Sequence, residues 1–204
     1  MSVVSNTQQI GIYAGTFDPV HLGHIAFAEQ AMRDCQLDKV IFLPEPAPRN
    51  KKNVTNITHR LDLIALAIAS EPNFDLLRLA APHFSVRRTL PELQQKFADA
   101  DLTFLMGSDI AKSLEHWVDI QTLLQRASIA VGLRGNDNPA ELTTIMEQLS
   151  HTHGVPIQYA LISAPKANIS SSGIRAGKDY RLHLPTAVSA YIEEHALYAP
   201  ALPS

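Results

Sequence analysis

The stretch Tyr13-Ala14-Gly15-Thr16-Phe17-Asp18-Pro19-Val20-His21-Leu22-Gly23-His24 decides how this chain folds. It joins an apolar run to the first turn of a helix and gathers two imidazoles, two glycines and a proline between them. Ile10 to Ala14 reads as a buried strand, and Ile25, Ala28, Met32 and Cys35 mark one face of the helix that follows. A helix start at the carboxyl edge of a sheet collects unpaired N–H groups and partial positive charge, and Gly23 has no side chain to keep an anion away. His21 and His24, three apart, lie on one helical face and can donate to neighbouring phosphate oxygens, most strongly when protonated. A structural histidine pair and a His-x-x-His zinc site are the competing readings. Zinc needs further ligands, and the nearest candidate, Asp18, stands before a proline as helix N-caps do.

Outward from this turn, the apolar run Lys39 to Leu43 is closed by Pro44, and Pro46 and Pro48 forbid regular structure in the loop beyond. That loop holds Arg49, Lys51 and Lys52, the densest basic cluster of the chain. If the second strand neighbours the first, the loop opens onto the edge that carries His21 and His24, as a mobile arm that closes over a polyphosphate. Thr58 is the expected N-cap of the next helix, with Leu61, Ile64, Ala65 and Ile68 as its buried face; Arg60 at its start is read as a surface charge, with a phosphate ligand as the alternative. Phe74, Leu76 and Leu79 suggest a third strand, and His83 to Arg88 a basic loop off its end. Thr89-Leu90-Pro91-Glu92 has the spacing of a capping box opening a helix over Leu90 to Phe97.

Leu102 to Met106 forms a fourth run that breaks at Gly107-Ser108-Asp109. There a glycine admits a ligand against the backbone, and the carboxylate can accept ribose hydroxyls or cap the next helix. Trp117, the single tryptophan, lies among Leu114, Val118 and Leu123, a setting that suits core packing as well as ring stacking. Ser128 to Leu133 and Ile157 to Ile162 are the last two strands. Between them Asn138, Pro139 and Glu141 open a helix with Leu142, Ile145, Met146 and Leu149 buried. His151 and His153 fall in a polar loop and receive no role. The sixth strand leads into Ile169-Ser170-Ser171-Ser172-Gly173-Ile174-Arg175. Hydroxyl and N–H donors at a helix start, with one guanidinium, make a second phosphate device; a cap or linker is the plainer reading.

Six strands alternating with helices predict an α/β protein with a doubly wound parallel sheet. One domain is expected over 1–204, with a flexible lead-in at 1–9 and a small helical C-terminal part at 169–204. A chain of 204 residues, 46% hydrophobic, fills one core but not two large ones. Its formal charge of −3 argues against a nucleic-acid partner, and no run approaches the roughly 20 apolar residues a bilayer requires. One cysteine, Cys35, and no secretory leader point to the cytoplasm. Neither a Gly-x-Gly-x-x-Gly nor a P-loop sequence is present, which weighs against a dehydrogenase or kinase.

Gly15 to His24 resembles the phosphate-binding turn of the His-x-Gly-His nucleotidylyltransferases, most closely the nicotinate mononucleotide adenylyltransferase branch. Phe104 to Asp109, followed by Leu114 and Trp117, is similar to the second signature of that branch. Ile169 to Arg175 resembles the Ile-Ser-Ser-Thr-x-x-Arg motif of the superfamily, Ser172 keeping the hydroxyl of the usual threonine. The resemblance covers almost the whole chain. It implies a Rossmann-like nucleotidylyltransferase fold and transfer of AMP from ATP, with Mg2+, to a pyridine mononucleotide, giving deamido-NAD and pyrophosphate.

The same resemblance implies His21, His24, Lys52 and Arg175 as catalytic groups, with Lys51 interchangeable with Lys52. ATP contacts would come from Gly15, Thr16, Phe17, both histidines, Gly107, Asp109, Ile169, Ser170, Ser171, Ser172 and Arg175. Thr16, Phe17, Lys51, Lys52, Arg87, Arg88, Thr89 and Trp117 would meet the mononucleotide, the tryptophan stacking on its pyridine ring. No protein metal ligand is expected. One segment departs from the family: where its members carry Ser-Tyr-Thr-x-Asp-Thr-Leu, this chain has Phe84-Ser85-Val86-Arg87-Arg88-Thr89-Leu90. Arg87 or Arg88 is the expected replacement in recognising the nicotinate carboxylate. A different phosphorylated acceptor, nicotinamide mononucleotide included, and a nucleotide-binding sensor without turnover stay open, as does a homo-oligomer.

Overall fold

The computed structural model describes residues 7–49, 51–177 and 180–198. Its six strands, β1 (Gln8–Gly15), β2 (Lys39–Pro44), β3 (Phe74–Leu76), β4 (Ala100–Gly107), β5 (Ser128–Gly132) and β6 (Tyr159–Ile162), form one sheet in the order β3-β2-β1-β4-β5-β6. Every pairing is parallel. The expected doubly wound α/β architecture is the one found.

Alternation along the strands produces two cores. Ile10, Ile12, Ile41, Leu43, Phe104, Met106, Ile129 and Val131 face one side, under α3 (Val86–Lys96), α5 (Ile120–Arg126) and α6 (Pro139–His153). Tyr13, Val40, Phe42, Leu105 and Ala130 face the other, under α1 (Leu22–Asp34), α2 (Ile57–Ile68) and α8 (Thr186–Glu194). Each large aliphatic side chain so buried contributes roughly 1.5–3 kcal/mol. The carboxyl ends of the strands are in register: Gly15 stands opposite Pro44, Gly107 opposite Gly132, and Gly132 opposite Ile162. Because the strand order reverses between β1 and β4, the turns leaving these two strands flank the crevice in which such sheets bind ligands.

Several local expectations are corrected. Asn56, not Thr58, caps α2, its Oδ1 accepting from the Thr58 N–H at 2.9 Å. The buried face of α2 is Arg60, Leu63, Ile64, Ala67 and Ile68, whereas Leu61 is half-buried and Ala65 exposed. The helix is rotated because Arg60, expected at the surface, is wholly buried against main-chain carbonyls. Helix α3 begins at Val86, inside the expected loop, since Val86, Leu90 and Leu93 share a buried face. Thr89 does not cap a new helix: its Oγ1 accepts from the Ser85 N–H at 3.1 Å, supporting the start already made. β3 stops at Leu76, and α6 runs through His153 to a left-handed Gly154, so both loop histidines are helical. β1 starts at Gln8, within the expected lead-in, while residues 1–6, 178–179 and 199–204 of the two expected terminal segments lie outside the described residues.

Candidate active site

The turn between β1 and α1 rests on aromatic packing. Phe17, left-handed at φ 50°, turns its ring against Gly15 and packs edge-on to Tyr13 and His24, each at 5.1 Å. That ring is buried, so Phe17 shapes the turn from beneath. His21, not Asp18, is the N-cap of α1. Its backbone N–H donates to Nδ1 of His24 at 3.1 Å, which places the proton of a neutral His24 on Nε2, ready to be donated to a ligand. The two rings stack with centroids 3.6 Å apart. Nδ1 of His21 is the only buried side-chain nitrogen or oxygen without a hydrogen-bond partner among the described residues. An unsatisfied buried atom of this kind costs about 1–3 kcal/mol.

In the ligand-free site burial disfavours protonated imidazoles. Burial, then the positive charge of Arg134 and of His183, lowers the His21 pKa to about 3. Burial, the stacked His21, Lys51 and Arg134 hold His24 well below its ordinary value. Near neutral pH both rings are therefore neutral donors, and the fixed positive charge comes from their neighbours.

Those neighbours converge from separate elements. Nζ of Lys51 donates to Oγ1 of Thr16 at 2.9 Å, bringing the basic loop onto the turn, while Lys52 is exposed. Arg175, in α7 (Ser171–Ala176), donates to the carbonyl of Asp18, with its Nη1 4.0 Å from the carboxylate. Oγ of Ser171 donates to the Pro19 carbonyl at 2.9 Å; Ser170 caps α7 by accepting from the Gly173 N–H at 3.1 Å; Ser172 is exposed and Ile169 packs on the core. The two phosphate devices read from sequence are thus tied to one turn. Asp18 itself is buried, accepting from the Thr55 N–H at 3.3 Å and from the Tyr198 hydroxyl at 2.7 Å.

Across the crevice, β4 ends at Gly107, N-cap of α4 (Ser108–Ala111), where a side chain would stand 2.6 Å from Oδ1 of Asp109. That oxygen meets Nη2 of Arg134 at 3.4 Å. Half-buried Trp117 packs on Phe84 with ring centroids 5.9 Å apart. Arg87 pairs with Asp119 at 3.1 Å, Arg88 is exposed, and Thr89 is buried with its hydroxyl on Ser85. Sequence reasoning missed Arg134, Tyr198 and the burial of Arg60. Arg134 carried a usable signal: a basic residue just before Gly135, two positions past the end of β5, must emerge on the ligand edge. Among the described residues no group of three His, Cys, Asp or Glu could hold a metal, and no helix is long and apolar enough to cross a membrane.

A donor-rich turn at the switch point of a parallel sheet, bonded to a second donor-rich helix start, fits a nucleotidyltransferase of the Rossmann-like kind. The cytidylyltransferase-like family matches this chain over residues 12–177. A Thermomicrobium roseum protein named probable nicotinate-nucleotide adenylyltransferase is 34% identical, covering 93% of this chain and 91% of its own. A Neisseria meningitidis serogroup B protein of the same name is 34% identical, covering 94% and 98%. In fold, the chain is similar to Plasmodium falciparum nicotinic acid mononucleotide adenylyltransferase complexed with NaAD, with a TM-score of 0.76, 19% identity, and 96% and 100% of the two chains covered. The chain belongs to the nicotinate-nucleotide adenylyltransferases of the cytidylyltransferase-like family.

Proposed function

We propose that this chain joins nicotinate mononucleotide to ATP, forming deamido-NAD and pyrophosphate. An oxygen of the mononucleotide phosphate attacks the α-phosphorus, the bond from that phosphorus to the bridging oxygen of the β-phosphate breaks, and pyrophosphate leaves with the electron pair. The observation that carries this reading is the attachment of Arg175 and Ser171 to the backbone of Asp18 and Pro19, beside the histidine pair. Such a cradle aligns two anions and neutralises the charge that grows on the leaving group.

His24 and His21 act as neutral donors to the triphosphate, with Gly15 and Thr16 letting it approach. Lys51, Lys52 and Arg175 supply charge, and Ser170 to Ser172 supply small donors. Gly107 and Asp109 face the nucleoside. Magnesium enters with ATP as part of the substrate; the carboxylate of Asp18 is already engaged by Thr55 and Tyr198. Trp117 stacks on the pyridine ring, and Arg88, exposed at the start of α3 beside the paired Arg87, recognises the nicotinate carboxylate. The substrates are small molecules, and the setting is cytoplasmic.

The test is pyrophosphate release and product mass with ATP, magnesium and either nicotinate or nicotinamide mononucleotide. Deamido-NAD from the acid is expected. Arg88→Ala should lower the acid-to-amide ratio of kcat/KM by about tenfold or more, the worth of one hydrogen bond to a charged group. An unchanged ratio removes Arg88 from recognition. Turnover with neither mononucleotide, despite ATP binding, would refute the acceptor assignment and turn the search to other acceptors or to a sensor.

A further inference from the structure

Arg60 is the largest fully buried side chain among the described residues. It lies in the first turn of α2, and every nitrogen of its guanidinium donates to a main-chain carbonyl. Nε reaches Thr55 at 2.8 Å, Nη1 reaches Thr16 at 2.7 Å and Glu45 at 2.9 Å, and Nη2 reaches Pro46 at 2.8 Å. Thr16 belongs to the turn after β1, Glu45 and Pro46 open the loop after β2, and Thr55 closes that loop. One planar group therefore holds the histidine turn and both ends of the segment that carries Lys51 and Lys52.

Filling the core does not require this residue. A buried charge bears a desolvation cost that an apolar residue of similar volume avoids, and Leu63 and Ile64 already fill the same face of α2. Arginine instead offers five N–H donors in a fixed fork, which fixes the carbonyls it binds relative to one another; a lysine ammonium is a point charge and imposes no such plane. Burial lowers the Arg60 pKa from its ordinary value, and the nearby carboxylates of Asp18 and Glu45 act the other way, favouring its charge. Thr16 is held twice, its carbonyl by Arg60 and its hydroxyl by Lys51.

We propose that Arg60 is a positioning residue, which sets where Lys51 and Lys52 stand relative to the histidine pair. The kinetic consequence rests on the adenylyl transfer proposed above; the geometric consequence does not. In Arg60→Lys, trypsin should cut after Arg49, Lys51 and Lys52 about tenfold faster, with cleavage after Arg33 and Lys96 unchanged, because only the loop is released. kcat should fall by about 100-fold, the effect of misplacing a charge by an ångström, while KM for ATP moves much less. Acceleration spread over all sites, unchanged nicking of the loop, or unchanged kcat in a chain nicked faster would each overturn the proposal.

Should Arg60→Lys not fold, the unmutated chain decides. By NMR its Arg60 Nε proton should exchange with solvent about 100-fold more slowly than that of exposed Arg88, and comparable exchange would overturn the proposal. An unmutated chain that releases no pyrophosphate would refute the transfer reaction and leave nicking and exchange to decide on Arg60.

Discussion

Asp18 and Asp109 stand at the ends of neighbouring strands, β1 and β4, and are held in opposite ways. The carboxylate of Asp18 is buried between the Thr55 N–H and the Tyr198 hydroxyl, and its carbonyl takes Arg175. Asp109 is exposed, and its ion pair to Arg134 spans 3.4 Å between two solvated side chains. The same contrast runs through both flanks of the crevice. Satisfied buried hydrogen bonds keep their geometry before any ligand arrives, whereas an exposed ion pair is worth about 0–1 kcal/mol and can be exchanged for a ligand's charge. The flank after β1, to which we assign the triphosphate, is built in advance; the flank after β4, to which we assign the nucleosides, is left to be completed by what binds there.

The largest effect should therefore come from the prebuilt flank. His24→Ala should lower kcat by about 100-fold or more, the cost of one preorganised donor, with a smaller change in KM and a lower melting temperature, since the His21 N–H loses its acceptor. His24→Gln sharpens the comparison, because its amide nitrogen can stand where Nε2 stands. If His24 works as a neutral donor, Gln should recover about tenfold of the loss. No recovery would mean that the ring acts as a cation, against its pKa, and that this flank is remodelled on binding.

The same burial makes stability depend on pH. The His21 pKa is about 3 in the folded chain and about 6.5 unfolded, so between these values the unfolded chain holds more protons. Stability is fully present above pH 6.5 and is lost as pH falls towards 3, with a slope of at most about 1.4 kcal/mol per pH unit from this group. Urea unfolding of the unmutated chain between pH 7 and pH 5 should show a steeper decline than that of His21→Asn. Equal slopes would indicate that His21 is not held neutral.

The contrast between the flanks also explains how much was legible in the sequence. Strands, helix order and the positions of the two donor-rich helix starts follow from periodicity and from residue types at helix starts, both local properties. Arg60 was misread because a guanidinium bound to carbonyls 5 to 44 residues away leaves no mark on the spacing around it. The start of α3 was misread because Thr89 and Glu92 carry a capping-box spacing while the burial of Val86 decides where the helix begins. The charge state of the histidines, left open by the sequence, was not legible there because titration depends on burial and on the charge of Arg134, in the loop after β5.

The smallest effect should come from Arg87, whose side chain is 76% exposed and pairs with Asp119, two residues past Trp117. If that pair is one more exchangeable contact, Arg87→Ala should shift the melting temperature by no more than about 2–4 °C, the equivalent of 1 kcal/mol in a chain of this size. Even this difference should vanish near 1 M salt, where the screening length falls to about 3 Å. The acid-to-amide ratio should stay within about threefold of the unmutated chain's, since an arginine held by Asp119 has less to offer a ligand than unpaired charge at Arg88. A loss of acid preference as large as that of Arg88→Ala would break the comparison at its weakest contact. The arriving carboxylate would then displace Asp119 from Arg87, and the Trp117 segment attached to that aspartate would be set by the substrate and not by the fold.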